Sequence, residues 1–98
     1  MAEDRRWTFL TNHAHVLLAV ARHPDIRVEE IAAGVGITTR AALGILKDLE
    51  VAGYLQRTRV GRRTHYELHE QRPFRHPASA GHTVDELLAL FGPDEAGA

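Results

Sequence analysis

Between Val28 and Leu68 the chain carries two short helical patterns parted by a glycine and followed directly by a basic hairpin, an order that few folds accommodate. Val28, Ile31, Ala32 and Val35 recur at the spacing of one helix face. Glu29 and Glu30 fall in the first turn, where the helix dipole favours negative charge. Gly36 supplies a left-handed turn residue, and Ile37 plugs the corner behind it. Thr38 then caps a helix whose inward stripe is Ala42, Leu46 and Leu49, joined by Ile45 and finished by Gly53. Residues 28–53 are therefore expected as helix, turn, helix, and residues 54–68 as a hairpin of two strands. Val60 is β-branched and resists positive φ, so a three-residue loop with Gly61 left-handed is expected there rather than a two-residue turn.

The flanks add two more helices. Thr11 caps the first, over residues 11–22, and His23-Pro24 ends it because the residue before proline is pushed out of helical geometry. Its stripe of Ala14, Leu17, Leu18 and Ala21 is widened by Val16 and Val20, an arc that needs two partners. Residues 69–82 hold Pro73 and Pro77 without periodicity and read as a connector. Residues 83–91 form a last helix with Val84, Leu87, Leu88 and Phe91 on one face, Thr83 as cap and Gly92-Pro93 as stop. The expected fold is mainly α with a small β-hairpin, as one domain over residues 1–98.

Composition narrows the class. Of 98 residues, 44% are apolar and 26% charged, the balance of an ordinary folded protein. No apolar run approaches the roughly 18 residues of a membrane span. The polar start, Met1 to Arg6, lacks the apolar core of a signal peptide, so a cytoplasmic, membrane-free protein is expected. Without cysteine there is no disulfide, no thiolate nucleophile and no cysteine-held metal. The net charge of −1 hides an asymmetry: between Arg40 and Tyr66 six basic residues face two acidic ones, Asp48 and Glu50. A basic segment inside a near-neutral chain is the footprint of a nucleic-acid binder.

With Ala42, Leu46 and Leu49 inward, the residues Thr39, Arg40, Leu43, Gly44 and Lys47 fall on outward arcs of the second helix of the pair, residues 38–53. Thr38, Thr39 and Arg40 project furthest when such a helix enters a DNA groove by its N-terminus. Arg40 suits a paired contact to guanine, Thr39 a base or a thymine methyl, and Lys47 a phosphate. Arg59, Arg62 and Arg63 surround Gly61 at the hairpin tip, where guanidinium groups reach phosphates or a narrow minor groove. The candidate DNA-binding set is therefore Thr38, Thr39, Arg40, Gly44, Lys47, Arg59, Arg62 and Arg63.

Glu30-Ile31-Ala32, Gly36-Ile37-Thr38, the run from Leu46 to Leu55 and the Arg-x-Gly-Arg hairpin together resemble the winged helix-turn-helix domains of small bacterial repressors of the ArsR and MarR type. The resemblance implies a homodimer on a near-palindromic operator, released by an effector of unknown identity. Departures stand beside it. The cysteine metal-sensing motif is absent, Arg62-Arg63-Thr64 replaces the Asp-x-Arg of MarR-type wings, and Arg27 stands where a capping serine or threonine is common. Dimerisation is expected through Leu17, Val20, Val84, Leu87, Leu88 and Phe91, the alternative being a last helix folded back on its own domain. A cavity between the first and last helices would hold an effector, although no polar cluster there predicts its chemistry.

Other chemistries find little support. His65, Glu67 and His69 alternate along one strand face, but on the solvent side of a wing, so no metal ligand set is assigned. His13 and His15 stand about 200° apart on a helix and cannot share an ion. Serine occurs only at Ser79, no glycine-rich phosphate loop is present, and no catalytic set or cofactor is expected. The rival reading is a winged helix used as a protein-contact or adaptor module. Three arginines around one glycine favour DNA over that rival.

Overall fold

The computed structural model describes residues 7–91. Along the chain run α1 (Asn12–Arg22), α2 (Val28–Val35), α3 (Thr39–Val51), β1 (Leu55–Val60), β2 (Arg63–Leu68), a short 3-10 turn (Pro77–Ser79) and α4 (Val84–Phe91). Local chemistry sets these limits. Thr11 accepts a hydrogen bond from the Ala14 amide at 3.2 Å, and Thr38 accepts one from Ala41 at 3.0 Å. At the start of α2 Arg27 offers no side-chain oxygen. Instead Glu30 reaches back to accept from the Arg27 amide at 3.1 Å, the returning half of a capping box. Gly36 closes α2 at φ 87°, where a side chain would be strained, and swings the chain into α3.

The hairpin corrects one expectation. Its register runs from Leu55 opposite Leu68 to Val60 opposite Arg63, so the turn is the two residues Gly61 and Arg62. Gly61 has φ 64° and Arg62 does not share the positive sign, the pattern of a II′ turn with glycine first. Val60 never enters the turn. It stays extended as the last strand residue, and glycine alone supplies the unusual dihedral.

A single apolar cluster joins every helix to the hairpin. Val16, Leu17 and Val20 of α1 meet Ile31 of α2, Leu46 and Leu49 of α3, Leu55 and Tyr66 of the strands and Val84 of α4. Full burial of each aliphatic side chain of this kind stabilises by roughly 1.5–3 kcal/mol. Leu17, Val20 and Val84 are 4%, 1% and 0% exposed, which corrects their expected place on a dimer surface. The wide arc of α1 is filled from inside the protomer by α2, α3 and β2. Leu88 also packs, half-buried, against this core. Thus α4 partly folds back on its own chain, leaving Leu87 half-buried, and Leu90 and Phe91 exposed.

Backbone bonds seat α4. Val84 and Asp85 donate to the Arg72 and Glu70 carbonyls at 3.0 and 2.9 Å, while Glu86 accepts from the Thr83 amide at 3.2 Å. Bonds to His82 and Thr83 hold the Glu86 carboxyl below the usual carboxylate range. Arg72 in turn donates to the Ala52 carbonyl at 3.1 Å and lies over the Tyr54 ring. Among the described residues no helix is long and apolar enough to cross a membrane.

Candidate nucleic-acid interface

Every candidate DNA-binding residue is exposed: Thr38, Thr39, Arg40, Gly44 and Lys47 at the start and along the outer side of α3, and Arg59, Arg62 and Arg63 on the hairpin. Among the described residues none of Arg40, Lys47, Arg59, Arg62 and Arg63 forms an ion pair. Their charges are therefore available to an anion.

The hairpin does not hang free. Tyr66 of β2 donates its amide to the Pro24 carbonyl at 2.8 Å, and His65 pairs with Asp25 at 2.8 Å. Arg57 of β1 grips Glu50 of α3 through two nitrogens, at 2.8 and 3.1 Å. These three ties come from the α1–α2 loop and from α3, so they fix the wing relative to the outward face of α3. Strand alternation directs Leu55, Arg57, Tyr66 and Leu68 toward the body of the protein. Burial, the leading influence, raises the Tyr66 phenol above its ordinary 10.0; Arg57 works against that shift and Glu50 adds to it.

Between wing and helices lies a cleft of about 500 Å³. Arg27, Arg57, Arg59, Arg62 and Arg63 line it, against the carboxylates of Asp25 and Glu29. Leu43 of α3 forms part of its wall and is 45% exposed. The arrangement presents guanidinium groups beside an outward helix face that carries Thr39, Arg40, Gly44 and Lys47 along with Leu43. Such a surface suits a polyanion with a groove wide enough for a helix.

Arg27 and Leu43 are among the cleft residues that lie outside the candidate set. In the sequence Arg27 stands out only as a missing cap, because its nearness to the hairpin depends on the tertiary fold. Leu43 is legible there as an outward residue, but an isolated exposed leucine carries no sequence signal of its own. Arg57, counted with the basic segment, is engaged by Glu50. The histidines go elsewhere too: His65 to Asp25, His69 to the Gly53 carbonyl at 2.9 Å, and His13 to Asp48 at 2.8 Å. Among the described residues no group of three or more histidine, aspartate or glutamate side chains is placed to hold a metal ion.

On the opposite side of α3 an apolar groove of about 310 Å³ opens between α1, α3 and α4. Leu17, Leu49, Tyr54, Phe74 and Leu87 form its walls, with the His13–Asp48 pair and Arg75 as polar members.

Three helices packed under a tied, arginine-tipped hairpin define a winged helix. The sequence profile of the MarR family matches residues 8–63, more than half of the 98-residue chain, and the protein belongs to that family. Solved structures agree on the fold. FabT of Streptococcus pneumoniae, seen in complex with DNA, is 22% identical at a TM-score of 0.54, over 66% of this chain and 48% of its own. MepR, a transcription regulator of the Staphylococcus aureus multidrug efflux pump MepA, is 18% identical at 0.57, covering 83% and 56%. The PcaV transcriptional regulator of Streptomyces coelicolor, seen with its natural ligand, is 18% identical at 0.54, covering 84% and 60%. The matched region is thus about half to three-fifths of each of these longer chains. No curated protein is similar enough in sequence to count as a match.

Proposed function

We propose that this MarR-family protein is a sequence-specific regulator of transcription that binds double-stranded DNA, with α3 in the major groove and the wing on the backbone or in the minor groove. The observation that carries this reading is the cleft itself, where unpaired arginines of a tied hairpin stand beside the outward face of α3. Thr38, Thr39 and Arg40 enter the groove first, Gly44 lets the helix approach closely, and Lys47 meets phosphate. Arg59, Arg62 and Arg63 neutralise backbone charge. A titration of fluorescent duplex DNA tests it. Arg62→Ala with Arg63→Ala lowers affinity, and the salt slope of log K falls by about 0.9 for each phosphate that is no longer neutralised. A wild-type and double-variant titration that coincide at low salt would overturn the DNA reading in favour of a protein-contact module.

The regulator acts as a homodimeric repressor in this proposal. Support comes from α4, where Leu90 is 77% and Phe91 42% exposed beside half-buried Leu87. A partner copy covers this end and sets two α3 helices about one DNA turn, or roughly 34 Å, apart. Sedimentation at micromolar concentration reporting only monomer rejects the dimer. An effector fits the groove between α1, α3 and α4, whose apolar walls and few polar groups are those of a small-molecule site. Its chemistry is tested by screening small organic acids for loss of DNA affinity.

A further inference from the structure

We propose that Leu43 is a specificity-determining residue that reads the C5-methyl group of a thymine in the major groove; the proposal rests on the DNA reading above. Arg40, Leu43, Gly44 and Lys47 follow one another at helical spacing along the outside of α3. Their neighbours Ala42 and Leu46 are 0% exposed, so the helix has no rotational freedom to turn Leu43 inward. Leu43 is the large apolar side chain in the N-terminal part of that stripe, Val51 being exposed at its far end, and it stands in the wall of the arginine-lined cleft.

Gly44 adds an independent observation. A Cβ placed there would meet nothing within 4 Å, so no packing inside the protein requires a glycine. Glycine inside a helix is disfavoured relative to alanine. Its bare backbone, next to an outward leucine, makes a shallow step that lets a base edge come close and brings the isobutyl group into van der Waals contact with it. In the major groove the exposed base edges are hydrogen-bonding groups, and thymine alone adds a methyl. A leucine placed there has that methyl as its matching partner. The flanking Arg40 supplies the polar contact to a neighbouring base pair.

The test starts from duplexes selected by the wild-type protein from random DNA. Each thymine of a selected site is replaced singly by deoxyuridine, which removes the methyl and keeps every hydrogen-bonding edge. Wild type should lose about three- to tenfold in affinity at one thymine per half-site, the scale of a buried methyl group. Leu43→Ala should bind the thymine and uracil duplexes equally, with a melting temperature matching wild type because the side chain lies outside the core. Indifference of wild type to every substitution overturns the assignment, as does methyl sensitivity that persists in Leu43→Ala. Failure to select any duplex overturns the DNA reading and this inference with it.

Discussion

On its inner face α3 buries Ala42 and Leu46 completely, while between them, on its outer face, Leu43 stands 45% exposed and a Cβ added at Gly44 would meet nothing within 4 Å. The inner residues are chosen by volume: Ile45, Leu46 and Leu49 fill the space left by α1, α2 and the hairpin. Nothing inside the chain chooses the outer ones. A mid-helix glycine works against the stability of an isolated protein and a solvent-facing leucine adds little to it, so we look for their reason in what the helix meets. On the proposed DNA reading, stability and recognition therefore occupy opposite sides of one element, and substitutions should separate them.

The largest effect belongs to the inner face. Leu46→Ala should cost about 2–5 kcal/mol in urea denaturation, through reduced burial and the cavity left behind. Its folded fraction should keep wild-type DNA affinity; a selective change in base preference would break the division between faces. Arg40→Ala should leave the denaturation midpoint in place and lose about 1–3 kcal/mol of discrimination at one base pair. Gly44→Ala sharpens the contrast most, because its two effects have opposite sign. Thermal unfolding should show a gain of up to about 1 kcal/mol, while gel-shift titration shows weaker binding. An alanine variant both more stable and tighter-binding would contradict close approach at this position.

The smallest effect concerns the hairpin's buried side. Burial raises the Tyr66 phenol above its ordinary 10.0, so neutral tyrosine supports the fold fully below that pH. As pH rises through the folded value, the contribution is lost. Tyr66→Phe should remove this alkaline component, flattening the melting temperature above about pH 10. A variant that retains the full alkaline decline would assign it to other groups.

Much of this architecture is legible in the residues alone. The caps at Thr11 and Thr38, the left-handed Gly36 and the periodic stripes are local features, and local chemistry decides them. The turn at Gly61 is harder to read, because a β-branched Val60 argues for a longer loop, whereas the II′ geometry asks only one residue for positive φ. The expectation for Leu17, Val20 and Val84 fails for a different reason. The width of an apolar arc states how much covering a helix needs and is silent on whether the cover comes from its own chain. Arg57 shows the same limit for charge: its pairing with Glu50 depends on where β1 leaves α3. The cleft composition is likewise a product of tertiary proximity, with Arg27 arriving from a different element than the wing.

The three ties on the hairpin carry a kinetic consequence. Because Pro24, Asp25 and Glu50 already hold β1 and β2, ordering of the wing is complete before any encounter. In the proposed DNA binding, capture of a duplex then sacrifices little chain entropy at the tip, leaving mainly the rotamers of long arginine side chains to be settled. Long-range attraction would set the rate of arrival and fade with added salt. Residence time would report how well the outward face of α3 matches the bases beneath it.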